Sequence, residues 1–306
     1  MDHEPRQANH PHGWMMRCVL ITPSFDYEAW LAALHYGALE AGLEMIVNHT
    51  GDLEPGSTED RRLIVTTNKK FLNPAPDAHI AVIATGLVGA VAKTCELTGG
   101  SGIYAVIDAA ELVVDALNYP NANIITEEAT AAGRALEILP GLRVVAPTPS
   151  SGDMLGPVES AGAKALLLYA NGLPDVGTSS EWLPQLFFYS PRREKQRERI
   201  TSLDITGGPG LLVNGPQISL PPGRWEITVQ FTLDDDAARY ELALEWGGLP
   251  DHFVTMSVKP NHGGLFRAVM SFETDRSVRS ELRIRLTEGA LHGQFEFLGA
   301  QVRRTG

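Results

Sequence analysis

From Arg17 to about Ala170, continuous apolar runs alternate with stretches in which apolar residues recur at helical spacing. "RCVLITP" is apolar at nearly every position, as a strand buried on both faces requires, and "EAWLAALHYGALEAGL" follows it with a helical stripe. Further runs at "EMIVNH", "RLIVTT", "HIAVIAT", "GIYAVID", "NIITEE", "LRVVAP" and "ALLLYA" read as strands. Helices are expected between several of them, notably Gly86 to Leu97 and Glu128 to Leu139, the latter stopped by Pro140-Gly141. Such alternation predicts a mainly parallel sheet covered by helices.

After Thr206 the period changes to two. Trp225, Ile227, Val229, Phe231 and Leu233 fall on one face of a strand, and Glu226, Thr228, Gln230 and Thr232 on the other. The alternation returns around Leu242 and Trp246, Phe266 and Phe272, Leu282 and Leu286, and in "GQFEFLGAQV". Pro222-Gly223 suits a type II turn ahead of the first of these strands. The predicted fold is therefore an α/β Rossmann-like N-terminal domain with a mainly parallel sheet over residues 16–172, followed by an all-β, jelly-roll-like sandwich over 206–306. Residues 173–205 read as a connector whose aromatics, Phe187, Phe188 and Tyr189, pack on one of the two domains. Residues 1–15 read as a disordered leader.

The formal charge of -12 argues against a nucleic-acid partner and against an anionic membrane surface. The one basic run, "RREKQRER", is broken by Glu194 and Glu198 and reads as a solvated face or a docking patch. Cys18 and Cys95 are the only cysteines, which suits two buried thiols in a reducing cytoplasm better than a disulfide scaffold. No stretch is apolar for long enough to span a membrane. His3, His10 and His12 sit in the leader and read as tail residues, so no metal and no cofactor is implied.

Open parallel sheets bind ligands at the carboxyl ends of their strands. The first such loop, "PSFDYEAW", has no glycine, which removes both the dinucleotide and the P-loop fingerprints. It does carry Ser24, Asp26, Tyr27 and Glu28, either a helix cap with acidic first turn or a polar set facing a substrate. In "IATGLVGA", Gly86 and Gly89 open a helix whose free N–H groups suit an anion, or serve tight packing. Asp108 and Glu127 are expected at strand ends, where a general base can be placed. In the sandwich, Asp251, His252, Asn261 and His262 occupy the "WGGLPDH" and "KPNHGG" loops as candidate recognition residues; Trp246 lies on the apolar face, as core or as a sugar platform.

The string "GPQISLPPGRWEITVQF", with "LRIRLTEGALHGQFEFLGAQV" after it, resembles the β-sandwich domains, similar to carbohydrate-binding modules, of bacterial glycosyltransferases and surface-polysaccharide proteins. "IYAVIDAAE", "NANIITEEATAAGRAL" and "LRVVAPTPS" are similar, more loosely, to the N-terminal half of a GT-B glycosyltransferase. The resemblance implies a carbohydrate-related protein of polysaccharide assembly, with glycan or nucleotide sugar as ligand. It carries no catalytic residue across, and the chain lacks the second Rossmann-like domain that binds the donor in complete enzymes. If the chain is catalytic, the candidates are Asp26, Glu28, Asp108 and Glu127; the alternatives are a noncatalytic scaffold that binds a protein partner and a small-molecule enzyme on a Rossmann-like fold.

Overall fold

The computed structural model describes residues 16–48, 61–68, 78–99, 102–130, 133–148, 155–190, 202–250 and 252–306. Its first half is built on a parallel sheet of five strands: β1 (Arg17–Ile21), β2 (Glu44–Val47), β3 (Arg62–Thr66), β4 (His79–Ala84) and β5 (Asn123–Thr126), in the order β2-β3-β1-β4-β5. Each neighbouring pair is parallel, and the central β1 has its buried residues divided among three clusters, Cys18 sitting in a small one with Ile64 and Ile80. Val19 and Ile21 face α1 (Tyr27–Glu40), whose buried residues Tyr27, Trp30, Leu34 and Ala38 form the stripe expected of a one-sided helix. Leu20 faces the other way, into a layer of three helices, α2 (Ala90–Thr98), α3 (Ile103–Leu117) and α4 (Pro157–Leu166).

Three sequence expectations need correction. "GIYAVID" is not a strand but the first half of α3, so Asp108 sits on a helix and not at a strand end. The reason is the burial of α3 from two sides: it packs on α2, α4 and the parallel sheet, and on β11 (Gly210–Leu220) of the second half. A helix buried over most of its circumference keeps only a narrow polar stripe, here Asp108, Glu111 and Asp115, and the apolar opening of such a helix cannot be told from a buried strand by periodicity. "ALLLYA" is likewise the end of α4 and a turn of 3-10 helix, Leu167–Tyr169. The helix expected over Glu128 to Leu139 is instead a short 3-10 turn, Glu127–Ala129, and then strand β6 (Ala135–Leu139), which pairs antiparallel with β7 (Leu142–Val145). Pro140-Gly141, taken as a helix stop, is the hairpin turn, with Gly141 at φ +78°. This hairpin closes over α1: a Cβ on Gly37 would lie 2.4 Å from the Arg143 carbonyl oxygen, so the helix approaches β7 at a position only glycine can fill.

The second half is a sandwich of two antiparallel sheets. One has the order β10-β17-β12-β15, formed by β10 (Ser202–Asp204), β17 (Gln294–Arg304), β12 (Gly223–Leu233) and β15 (Gly264–Thr274), with β8 (Ser179–Trp182) also pairing on β17. The other has the order β14-β13-β16-β11-β9, formed by β14 (His252–Val258), β13 (Leu242–Gly248), β16 (Val278–Leu286), β11 and β9 (Phe188–Tyr189). The stretch read as a connector thus contributes β8 and β10 to the first sheet and β9 to the second. Phe187 is buried with its ring edge-on to Phe297, centroids 4.7 Å apart. The Pro222-Gly223 corner carries the chain from one sheet to the other, since β11 and β12 pair with different partners. Gly223 has φ +145°, well beyond the value of about +80° that a type II turn needs.

One continuous core joins the two halves: Val82, Val106, Val113 and Leu166 belong to the same packed cluster as Leu212, Trp225 and Trp246. The Tyr169 hydroxyl donates to the Ser219 carbonyl across this junction. No helix among the described residues is long and apolar enough to cross a membrane.

The buried phenols and thiol make the fold sensitive to alkali. Burial, then the charge of Glu28, pushes Tyr27 up to about 12 from 10.0. Burial pushes Cys18 up to about 12 from 9.0, and raises Tyr169 and Tyr189 further still. A group whose folded pKa is raised contributes stability that is complete below its unfolded value and is lost as pH climbs toward the folded one. Tryptophan fluorescence should therefore report cooperative unfolding between about pH 9 and 12, where the unfolded chain ionises first. Tyr27→Phe should move the midpoint upward, and a midpoint at or below the original would remove Tyr27 from this role.

Candidate functional site

At the carboxyl end of the parallel sheet, the chain leaves β1 through Ser24 and Asp26 and leaves β4 through Gly86. These loops meet. A Cβ on Gly86, at φ +65°, would stand 3.0 Å from both Asp26 Oδ2 and Ser24 Cβ. Glu127, leaving β5, completes the group, because its Oε1 accepts the Gly86 N–H at 2.9 Å. So Ser24, Asp26, Gly86 and Glu127 are brought together, as the strand-end rule anticipates.

Their arrangement is closed rather than receptive. Asp26 is buried at the N-cap of α1 with no side-chain capping bond, and its backbone carbonyl takes the Trp30 N–H. The Ser24 hydroxyl is buried without a hydrogen-bond partner among the described residues. Tyr27 is buried beneath Lys93, whose Nζ lies 5.8 Å from the ring centroid, while Glu28 points to solvent. The Gly86 N–H, expected to wait for an anion, already serves the Glu127 carboxylate. Gly89 is a packing position: a Cβ there would lie 2.4 Å from the Phe25 ring. Asp108 is not part of this group, being carried away on α3.

The sandwich loops do not form one cluster either. Asp251 lies outside the described residues. His252 opens β14 and lines a cavity of about 590 Å3 with Gly248, Glu273 and Arg276. Asn261 and His262 follow the far end of the same seven-residue strand, on the order of 20 Å away at about 3.3 Å per residue. Asn261, at φ +70°, donates its N–H to the Ala238 carbonyl, and His262 Nδ1 lies 3.1 Å from the Gly263 carbonyl oxygen, so both shape their own loop. Trp246 is fully buried, edge-on to Phe272 at 4.6 Å, and belongs to the core.

A different array appears on the outer face of the β14-β13-β16-β11-β9 sheet. Strand register places Thr255, Glu245, Arg283, Asn214 and Phe188 in one row across five strands. The next row is Phe253, Gly247, Glu281 and Pro216. Leu282, Ile284 and Trp246 alternate with these residues and point inward, so both rows face away from the core. Glu281 is only 3% exposed although it lies on an outer face. Its Oε1 accepts from Asn214 Nδ2 at 3.1 Å, and its Oε2 accepts from Arg283 Nη2 at 2.9 Å. The guanidinium of Arg283 lies 4.3 Å from the Phe253 ring centroid. It reaches that ring over Gly247, where a Cβ would collide with the His252 carbonyl. At the other end of the first row, the Tyr104 ring of α3 tilts against Phe188 at 5.9 Å.

Apart from Phe188, read as a connector aromatic, these residues did not stand out in the sequence, although a signal was there. "VRSELRIRL" places Arg279, Glu281, Arg283 and Arg285 on alternate positions of one strand, a charge density that solvation of an edge does not require. Reading only the inward half of the alternation hides it.

No family model matches the sequence, and no curated relative matches it. The C-terminal part resembles carbohydrate-binding modules in solved structures. One is TmCBM61 in complex with beta-1,4-galactotriose, 10% identical over 41% of this chain and 86% of that one, TM-score 0.28. A second is a family 16 carbohydrate-binding module, 12% identical over 45% of this chain and 95% of that one, TM-score 0.26. A third is the CBM22-1 xylan-binding domain of Xyn10C from Paenibacillus barcinonensis, 14% identical over 43% and 97%, TM-score 0.27. At these values the likeness transfers no residue and no ligand.

Proposed function

We propose that this chain is a glycan-binding protein whose binding surface is the part of the outer face of the β14-β13-β16-β11-β9 sheet that α3 leaves open, on β14, β13 and β16. The observation that carries the reading is Arg283 held over the Phe253 ring by Glu281, which is itself bonded to Asn214. A pyranose presents hydroxyl pairs that suit planar, forked partners, and an apolar C–H face that suits a ring. Here the fork and the ring are oriented before any ligand arrives, which lowers the entropy cost of association. Glu245 and Thr255 extend the row with an acceptor and a hydroxyl. The face lies on strands rather than loops, so its spacing is set by the sheet.

For the α/β half we assign no reaction step. A transferase would need an anion site for its donor, and the Gly86 N–H best placed for that role donates to Glu127. The link to polysaccharide assembly rests on the sequence resemblance and on the proposed glycan face.

The test is a glycan array probed with the full chain, followed by titration of the best oligosaccharide. Phe253→Ala should weaken binding at least about tenfold, as loss of one stacking contact of about 1 kcal/mol plus its area predicts. Arg283→Lys keeps the charge but loses the fork and should do the same. Arg267→Ala, on the outer face of the opposite sheet, should leave affinity unchanged. An array silent throughout would favour the protein-scaffold reading, and binding indifferent to Phe253 and Arg283 would move the glycan elsewhere.

A further inference from the structure

A second cavity lies where the α/β half meets the sandwich. It measures about 370 Å3, within the range of about 300–1,000 Å3 seen for small-molecule sites. Pro23 and Thr67, which follow the carboxyl ends of β1 and β3, form one wall. Thr94 and Leu97 of α2 and Asp108, Glu111 and Leu112 of α3 form the second, and Arg279 of β16 closes the third. This is the end of the sheet at which open α/β folds hold their ligands.

The charges in the cavity decide what fits. Arg279 donates through Nε to Glu111 Oε2 at 3.0 Å, and a second guanidinium nitrogen reaches the same oxygen, so those two charges compensate each other and brace the junction. Asp108 stands one helical turn before Glu111, exposed, with no hydrogen-bond or ion-pair partner among the described residues. One uncompensated carboxylate, two threonines and a guanidinium edge therefore surround apolar surface from Pro23, Leu97 and Leu112. A phosphate or nucleotide would be repelled by Asp108. A compact molecule with several hydroxyls and an apolar C–H face suits the Asp108 carboxylate and the apolar surface beside it.

We propose that this cavity binds a neutral, monosaccharide-sized polyol, with Asp108 accepting its hydroxyl hydrogen bonds and Leu97 and Leu112 covering its C–H face. The site is separate from the sheet face and does not depend on it. It is connected to that face by β16, which carries Arg279 here and Glu281 and Arg283 two and four residues further on.

Saturation-transfer NMR and calorimetry on the full chain with D-glucose, D-galactose, D-mannose, D-xylose and myo-inositol test the proposal. At least one of these should bind, Asp108→Asn should weaken it about tenfold or more, and Arg267→Ala on the opposite sheet should leave it unchanged. Silence from all five compounds would overturn the proposal. So would binding that survives Asp108→Asn, and binding that disappears with Phe253→Ala would assign the sugar to the sheet face instead.

Discussion

A fragment comprising residues 202–306 is expected not to fold, even though it contains every long strand of the sandwich. It lacks β8 and β9, and with them Trp182, Leu186 and Phe187, all buried in the common core. Truncating a buried Trp, Leu or Phe costs about 2–5 kcal/mol each, so losing all three removes on the order of 10 kcal/mol, as much as the whole stability of an ordinary domain. The fragment also exposes the edge of β17 that β8 covers from Ala300 to Arg303, an invitation to aggregate. It should show no near-ultraviolet circular dichroism and no cooperative thermal transition, while the intact chain melts in one step. A sharp transition in the fragment would mean that the core is divisible at residue 202.

Arg283→Ala should be the most costly single change on the sheet face, destabilising the chain by about 3 kcal/mol, near the lower end of the range for breaking a buried ion pair. The lower end applies because Arg283 itself is 29% exposed, whereas the Glu281 side chain is only 4% exposed. Without Arg283, that carboxylate keeps only the Asn214 amide as a partner among the described residues and is left buried without a counter-charge. Neutralising it should therefore restore most of the loss: Arg283→Ala combined with Glu281→Gln is expected to lie within about 1 kcal/mol of the original protein. Urea titrations of the four proteins in this cycle give the coupling directly. A single-variant cost below about 1 kcal/mol would show that Glu281 has water or another donor to fall back on.

How much the sequence reveals depends on how local the deciding contact is. "RCVLI" and "HIAVIA" are legible as buried parallel strands, and "RWEITVQFTL" as a half-buried one, because in each the environment repeats along the chain. Helix α3 defeats the same reasoning, since Val106, Ala109, Val113 and Leu117 are enclosed from more than one side and the narrow polar stripe of Asp108, Glu111 and Asp115 begins only after an apolar opening that reads as a strand. The hairpin of β6 and β7 is obscured by "EEATAAGRAL", a helix-forming composition overruled by Leu136 and Ile138 entering, at period two, the core they share with α1. The strand-end group of Ser24, Asp26, Gly86 and Glu127 was anticipated in part, because topology alone directs those loops to one end of the sheet. The Phe253–Arg283–Glu281–Asn214 array was not, because its members are neighbours only through the register of four strands, and register is fixed by pairing over long separations.

Helix α3 has one more consequence, a kinetic one. Clasped between the parallel sheet and β11, and tied to the sandwich through Glu111 and Asn118, it leaves the two halves no bend about which to swing. Capture by clamshell closure, with its microsecond-to-millisecond delay, is denied to this architecture. A ligand must enter space that already stands open, so its rate of arrival should follow diffusion and its lifetime on the protein should set the affinity.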